Sequence, residues 1–482
     1  MSNTAQGSAR SRIEALLDDN SFVEIGGLVT ARTTNFNLQT KETPADGVIP
    51  GYGVIDGNLV YVYSQDASVL NGSVGEMHAK KICRLYDLAL KMGAPVIGLI
   101  DCAGLRLEEV TDAMNGFGRI YAKQSMASGV IPQIAAVFGN CGGGLAVMSS
   151  LADFTFMEEK KAKLFVNSPN ALDGNYTAKC DTASAAFQAE AGNVDFVGDE
   201  ASIFANMRQL VSMLPSNNED DASFEECTDD LNRLCEGIEN GAADPAYALS
   251  MISDNGTFVE IKKDNAKAVV CGFIKLNGAT VGAVANRTEL FDEEGKSVQK
   301  FDGVLCPGCA EKAADFINFC DAFSIPVLTL TNVKGYKATT CAEKKIAKAV
   351  AKLTYAYAHA TVPKVTVVTG NALGSASISM GSKAIGADLY YAWPNAQIGM
   401  MDSELAAKII AADEIAKADD AKKVISDKAA EYAAMQSSQS AAARGVVDAI
   451  LEPAETRKYL IAAFEMLFTK REDRPAKKHG TV

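Results

Sequence analysis

Val130-Ile131-Pro132-Gln133-Ile134-Ala135-Ala136-Val137-Phe138-Gly139-Asn140-Cys141-Gly142-Gly143-Gly144 and Thr361-Val362-Pro363-Lys364-Val365-Thr366-Val367-Val368-Thr369-Gly370-Asn371-Ala372-Leu373-Gly374-Ser375 are two versions of one phrase. Pro132 and Pro363 stand 363 − 132 = 231 positions apart, and so do Gly143 and Gly374, 374 − 143 = 231. Each version opens with an apolar run short enough for a buried strand, then passes through Gly-Asn into a turn of small residues. Such a turn lets backbone N–H groups approach a ligand. Two copies predict two half-sites of one design, able to face each other.

Other landmarks return in the same order, as a duplicated folding unit requires. Phe22-Val23-Glu24-Ile25 reappears as Phe258-Val259-Glu260-Ile261, and Ala94-Pro95-Val96 as Ile325-Pro326-Val327. Gly104 and Gly335 follow those strands; Ala152-Asp153-Phe154 is matched by Ala387-Asp388-Leu389, and Val194-Asp195 by Val447-Asp448. The predicted division is into domains 1–240 and 241–482, since 482 residues exceed one ordinary core.

A composition that is 48% hydrophobic and 22% charged is that of a globular protein, and a net charge of −14 speaks against general nucleic-acid binding. No apolar run reaches the roughly 18 residues of a membrane span, and the polar start Met1–Arg12 lacks a secretory core, so the expectation is cytoplasmic. Eleven cysteines read as scattered reduced thiols without paired metal spacing. Three histidines (His78, His359 and His479) leave little for a histidine triad or metal centre, and no metal is expected.

The spacing predicts a short helix around Ile13–Leu17, a hairpin over Gly51–Tyr63 turning at Asp56-Gly57, and a helix within Gly72–Met92 leading to a buried strand. That alternation indicates an α/β domain. Pro215–Asp230 reads as the surface connection between halves, Pro453–Phe468 as helix, and Lys470–Val482 as a solvated basic end.

Several stretches resemble the carboxyltransferase subunits of biotin-dependent acyl-CoA carboxylases and decarboxylases, such as the propionyl-CoA carboxylase beta subunit and the methylmalonyl-CoA decarboxylase alpha subunit. They include Asp46-Gly47-Val48-Ile49-Pro50-Gly51-Tyr52-Gly53, Gly75-Glu76-Met77-His78-Ala79-Lys80-Lys81-Ile82, Tyr355 through Lys364, Ala387 through Pro394, and Ala443-Arg444-Gly445-Val446-Val447-Asp448. The resemblance runs in order through residues 12–460. It implies two tandem crotonase-fold (ClpP/crotonase-like) α/β domains, with acyl-CoA on the N-terminal one and biotin, on a separate carrier, on the C-terminal one. It further implies a homo-oligomer with subunits meeting N-terminal to C-terminal domain.

The implied chemistry passes through two anions, an enolate of the acyl-CoA thioester and the ureido anion of biotin. Backbone N–H donors stabilise such oxygens, each to the extent of roughly 2.7–4 kcal/mol of barrier. By resemblance, Gly143 and Gly144 would line the acyl-CoA oxyanion hole, and Ser375 and Ala376 the one for biotin, with Gly142, Gly374 and Gly104 completing the turns. Arg106 reads either as a contact to a coenzyme A phosphate or as a structural arginine; His78 and Lys81 read as helix-surface residues. The family's proposed base is biotin itself, so no side-chain base is implied.

Departures from the family pattern mark both sites. Ser375 stands at a usual glycine, and Leu145 at a usual alanine, where its side chain would narrow the acyl pocket. Tyr336-Lys337-Ala338-Thr339-Thr340-Cys341-Ala342 replaces the family's sequence on the biotin side, and Cys102 and Cys141 fall in the acyl-site turns as buried thiols or reactive ones. Ala89-Leu90-Lys91-Met92 looks like a damaged biotinylation sequence but lies inside a helical run. Partners are therefore expected: a biotin carboxyl carrier protein, with either a biotin carboxylase subunit or membrane decarboxylase subunits. The readings left open are a carboxylase, the alpha subunit of a sodium-pumping methylmalonyl- or glutaconyl-CoA decarboxylase, a crotonase-type hydratase, and a non-catalytic acyl-CoA-binding scaffold paralogue.

Overall fold

A computed structural model describes residues 8–36, 41–220, 226–292 and 294–482. Residues 1–7 of the polar start and 221–225 of the expected connection lie outside the described residues. The chain forms two compact units, residues 1–223 and 224–482. This division falls before the 240/241 boundary read from the sequence. The physical reason is that Cys235 and Ile238 are buried in the second unit's core and Cys235 N–H donates to Ala454 O at 2.8 Å.

In the first unit, strands β1 (Val23–Glu24), β2 (Val48–Ile55), β3 (Asn58–Gln65), β4 (Val96–Cys102), β5 (Gln133–Gly142), β6 (Phe154–Glu158) and β8 (Phe196–Gly198) form a sheet in the order β1-β2-β3-β4-β5-β6-β8. β7 (Lys163–Phe165) pairs with the far end of β5. β1 to β3 are antiparallel neighbours and the rest are parallel. In the second unit the strands are β9 (Phe258–Ile261), β10 (Val269–Leu276), β11 (Ala279–Asn286), a ribbon of β12 (Glu289–Phe291) and β13 (Ser297–Lys300), β14 (Val304–Leu305), β15 (Val327–Val333), β16 (Gly335–Tyr336), β17 (Lys364–Leu373), β18 (Leu389–Ala392), β19 (Gln397–Gly399) and β20 (Ala449–Ile450). Its sheet runs β9-β10-β11-β15-β17-β18-β20, with β19 paired to β17, so order and polarity repeat strand for strand.

The repeated words are the joints of this architecture. Asp153 N–H donates to Gln133 O and its carboxylate accepts from Gln133 N–H, both at 2.8 Å; Asp388 makes the same two bonds with Lys364. Asp195 clasps Thr155, and Asp448 clasps Tyr390, in the same way. Each aspartate thus fixes the start of one parallel strand against its neighbour. The Phe-Val-Glu-Ile words are β1 and β9, and a Cβ at Gly51 or Gly272 would sit against Val23 O and Phe22, or Val259 O and Phe258. Both β4 and β15 carry an irregularity just before the turn, at Ile100/Cys102 and Thr331/Val333, where a bulge re-aims the strand end.

The local elements follow the sequence patterning. Asp56 and Gly57 both take positive φ (50° and 81°), as the hairpin turn between β2 and β3 requires. The helix Glu76–Met92 buries His78, Ala79, Ile82, Leu85, Tyr86 and Ala89 along one face and ends at Gly93 in left-handed geometry. The damaged biotinylation sequence is its last turn. The N-terminal helix spans Ala9–Leu16 and the C-terminal one Thr456–Leu467. The basic end is not solvated along its length. Lys470 donates to Val362 O and Asp388, Arg474 donates to His359 O, and Lys477 lies 4.7 Å over the Tyr355 ring.

Candidate functional site

β5 delivers the chain to Gly143 (φ 62°, ψ −125°), and the helix Gly144–Ser150 begins at once. Only glycine tolerates that backbone without strain. β17 ends at Leu373, and Gly374 takes the same φ of 62° before the helix Gly374–Ser379 turns away. Gly144 and Leu145 therefore correspond to Ser375 and Ala376, each 231 residues later. In both turns the first of the pair is exposed and the second buried.

The available donors follow from this register. Gly143 N–H is already spent on Phe165 O of β7, at 2.8 Å, so it is not a free oxyanion donor. The N–H groups of Gly144 and Leu145 stand in the first helical turn, where no i−4 carbonyl exists to accept them, and Ser375 and Ala376 stand likewise. The pair read from sequence, Gly143 with Gly144, is one residue out of step with Ser375 and Ala376. By the same offset, the counterpart of Ala376 is Leu145. Its side chain is fully buried in the core, so it does not project into an acyl pocket as the sequence suggested.

Side chains around the two turns differ. Tyr121 donates to Gly144 O at 2.5 Å, and a Cβ on Gly144 would lie 2.7 Å from Tyr121 Oη and 3.0 Å from Phe117. Ser375, at the usual glycine, lies inside the helix Gly374–Ser379 and does not take a positive φ. Val147 and Ile378, again 231 apart, are both exposed beside their turns, at 42% and 44%. Gly142 packs against the Phe165 ring, Gly374 against Met400 O, and Gly104 (φ 115°) opens onto free space.

Arg106 is 1% exposed, and its guanidinium is consumed internally. It donates to Asp46 at 2.6 Å, Glu109 at 2.8 Å and Ser73 O at 2.7 Å. That makes it the structural arginine of the two readings, and the coenzyme A phosphate role is withdrawn. His78 and Lys81 are likewise buried rather than on the helix surface. His78 N–H donates to Asp46, its Nδ1 lies 3.0 Å from Asp46 O and its Nε2 3.2 Å from Gln65 Nε2. Burial, with Arg106 nearby, pushes its pKa down to about 3, so a neutral imidazole is fixed here and is not a base for catalysis. Lys81 donates to Ala45 O and Val48 O, and burial lowers its pKa to about 8. Lys312, 231 residues later, ties down the equivalent β10 start through Lys262 O, Asn265 O and Val269 O. The family stretches around Asp46 and His78 are thus one buried clamp.

Cys102 and Cys141 are register partners on β4 and β5, both fully buried. Burial raises both thiols, Cys102 to about 12, which removes them as nucleophiles near neutral pH. The uniform reduced-thiol reading fails elsewhere: Cys306 and Cys309 are disulfide-bonded. Their C-x-x-C spacing was legible in Cys306-Pro307-Gly308-Cys309 and was passed over.

Comparison with known proteins accounts for the whole chain. The carboxyl transferase domain family matches residues 3–482. The methylmalonyl-CoA decarboxylase subunit alpha of Propionigenium modestum is 38% identical over 489 residues, covering 98% of this chain and 93% of that protein. A putative propionyl-CoA carboxylase beta chain of Bacillus subtilis (strain 168) is 40% identical over 485 residues, with 98% and 93% covered. The transcarboxylase 12S crystal structure, described as a hexamer with methylmalonyl-coenzyme A and methylmalonic acid bound, superposes with a TM-score of 0.91 at 36% identity, covering 98% of this chain and 92% of that one. The chain belongs to the carboxyl transferase family, with two tandem α/β domains of crotonase fold.

Proposed function

We propose that this chain moves a carboxyl group between biotin on a separate carrier protein and the α-carbon of a short acyl-CoA, with the first turn serving the acyl-CoA and the second the biotin. The observation that carries the reading is the duplicated turn, two pairs of first-turn N–H groups (Gly144 with Leu145, Ser375 with Ala376) each following a glycine with φ 62°. Carboxyl transfer needs a negative oxygen stabilised on each partner in turn, and paired backbone donors aimed at one point do that without reorganising. Biotin, when bound, supplies the carriage of the carboxyl group. The chain's own part is to hold the developing thioester enolate oxygen at Gly144–Leu145, and to offer Ser375–Ala376 to the second oxygen. The residues of the two turns, Gly142–Leu145 and Gly374–Ala376, include no carboxylate, whereas a hydratase would need positioned carboxylates beside its oxyanion hole.

That Ser375 fits the helix without a positive φ supports a working second turn over a non-catalytic scaffold. Propionyl/methylmalonyl-CoA is the favoured substrate pair, since relatives are named for it and the similar 12S structure holds methylmalonyl-coenzyme A; acetyl/malonyl-CoA is the second choice. Direction is set by partners: a biotin carboxylase subunit makes a carboxylase, membrane subunits make a sodium-pumping decarboxylase. Among the described residues no helix is long and apolar enough to cross a membrane, which fits a cytoplasmic subunit recruited to such partners. Exposed Leu107 (84%), Val110, Met114, Ile409 and Ile410 (69%) support a homo-oligomer. The test is mass spectrometry of methylmalonyl-CoA, malonyl-CoA and glutaconyl-CoA incubated with the purified chain, with and without free biotin. Biotin-dependent loss of the carboxylate from methylmalonyl-CoA is expected; loss from none, with acyl-CoA still bound, would return the scaffold reading.

A further inference from the structure

Cys306-Pro307-Gly308-Cys309 runs from the end of β14 into the first turn of the helix Pro307–Ala322, with the two cysteine Cα atoms 5.0 Å apart. Cys306 is the residue capping that helix, and its Sγ accepts Cys309 N–H at 3.1 Å. Backbone N–H donors and the positive end of a sixteen-residue helix favour a thiolate at this position. Access is one-sided: Cys306 is half-buried, while Cys309 is fully buried. The nine other cysteines are free, so the bond is a single local pair and not part of a disulfide scaffold.

The duplication supplies a control. The equivalent positions in the first unit are Gly75 and His78 (306 − 75 = 231 and 309 − 78 = 231), and the equivalent helix start is held by Glu109, whose carboxylate accepts Glu76 N–H at 2.6 Å. The fold therefore does not need a cystine at this place. What the cystine adjoins is β14, one residue away. Val304 and Leu305 pair with Gly335 and Tyr336, Lys334 N–H donates to Gly303 O at 2.7 Å, and Lys337 N–H donates to Leu305 O at 3.0 Å. The helix Gly374–Ser379 packs on Gly335–Tyr336.

We propose that Cys306 and Cys309 form a thiol–disulfide exchange site, with Cys306 as the attacking thiol, whose oxidation state sets how firmly β14 is held against Gly335–Tyr336. In the oxidising direction the Cys306 thiolate attacks one sulfur of a low-molecular-weight disulfide, forming a mixed disulfide and releasing one thiolate. Cys309, its proton passed to solvent, then attacks Cys306 Sγ, closing the Cys306–Cys309 bond and releasing the second thiolate. Two protein thiols are oxidised and one external disulfide is reduced to two thiols; a dithiol reductant reverses both steps. This goes beyond the carboxyl-transfer reading and does not depend on it.

The experiment equilibrates the full chain in reduced and oxidised glutathione mixtures, blocks free thiols with a maleimide and maps the peptides by mass spectrometry. The 306–309 peptide is expected to pass from two blocked thiols to none as the mixture becomes oxidising. Cys309→Ser is expected to carry one glutathione on Cys306, and Cys306→Ser none on Cys309; serine at 306 is itself a good helix cap, and Cys309→Ser leaves the Cys306 cap and the 309 N–H in place. Hydrogen exchange at the Lys334 and Lys337 amides is expected to be about fivefold faster in the reduced form. Two blocked thiols across the whole range, glutathione on Cys309 instead, or identical exchange at both amides would overturn the proposal.

Discussion

The first turn and the second share a backbone and almost nothing else. Arg106 and Lys337, 231 residues apart, make the same backbone bond, to Val74 O and Leu305 O respectively, each at 3.0 Å. Yet the Arg106 side chain is buried in a clamp with Asp46 and Glu109, while Lys337 reaches outward to an exposed Asp302. The helix start at Gly75–His78 is answered by a cystine. The difference teaches which level carries the chemistry. On the proposed function, glycine geometry and first-turn N–H groups persist through duplication because two similar anions would need them, while the side chains are free to follow different ligands.

The comparison breaks most readily at the clamp. Arg106→Met leaves two buried carboxylates unpaired and is expected to cost about 3–5 kcal/mol of stability. Lys337→Met, its exposed counterpart, should leave the urea midpoint unchanged. Equal shifts from the two would mean that the first unit's clamp is no more structural than a surface pair.

A smaller effect comes from exchanging the turn residues. Gly144→Ser forces a Cβ against Tyr121 and Phe117, and displacing the donor by about 1 Å is expected to lower biotin-dependent turnover by roughly 100-fold. Ser375→Gly, with no such neighbours to accommodate, should stay within about threefold. Steady-state rates of both variants, with folding checked by circular dichroism, decide it.

The finest comparison is between the two strand-clasping aspartates. Asp388 has Lys470 at 2.9 Å, whereas burial without such a partner lifts the Asp153 carboxyl to about 7. With a folded pKa above the unfolded one near 4, the folded state holds the extra proton between about pH 4 and 7, so stability falls as pH rises through that window. Asp153→Asn should flatten the fall, and Asp388→Asn should leave it in place. Urea midpoints measured from pH 4 to 8 give both slopes; a slope unchanged by Asp153→Asn would refute the assignment.

What was legible in the sequence was whatever the backbone demands of residue identity. A strand ending in a φ of +62° requires glycine, strand joints require aspartate, and both recur at intervals that can be counted. The clamp was not legible, because Arg106 and Asp46 lie 60 residues apart and only the packed sheet brings them together. The same holds for the basic end, whose ordering depends on Tyr355 and Asp388, and for the second unit's start, which Cys235 and Ile238 draw into the core. Leu145 was read as narrowing a pocket, but its side chain is buried in the core. Cys306 and Cys309 were visible as a motif but became significant only at a helix start beside the second turn.

The most direct test of two working turns deletes one donor from each. Proline lacks an N–H yet is tolerated in the first turn of a helix, so Gly144→Pro and Ser375→Pro remove matched donors, with Gly144→Ser the control for the Cβ added against Tyr121 and Phe117. Biotin-dependent decarboxylation of methylmalonyl-CoA is expected to fall about 10²–10³-fold in each variant. Full turnover in Ser375→Pro, beside a collapsed rate in Gly144→Pro, would contradict the account and leave a single reaction site in the first unit.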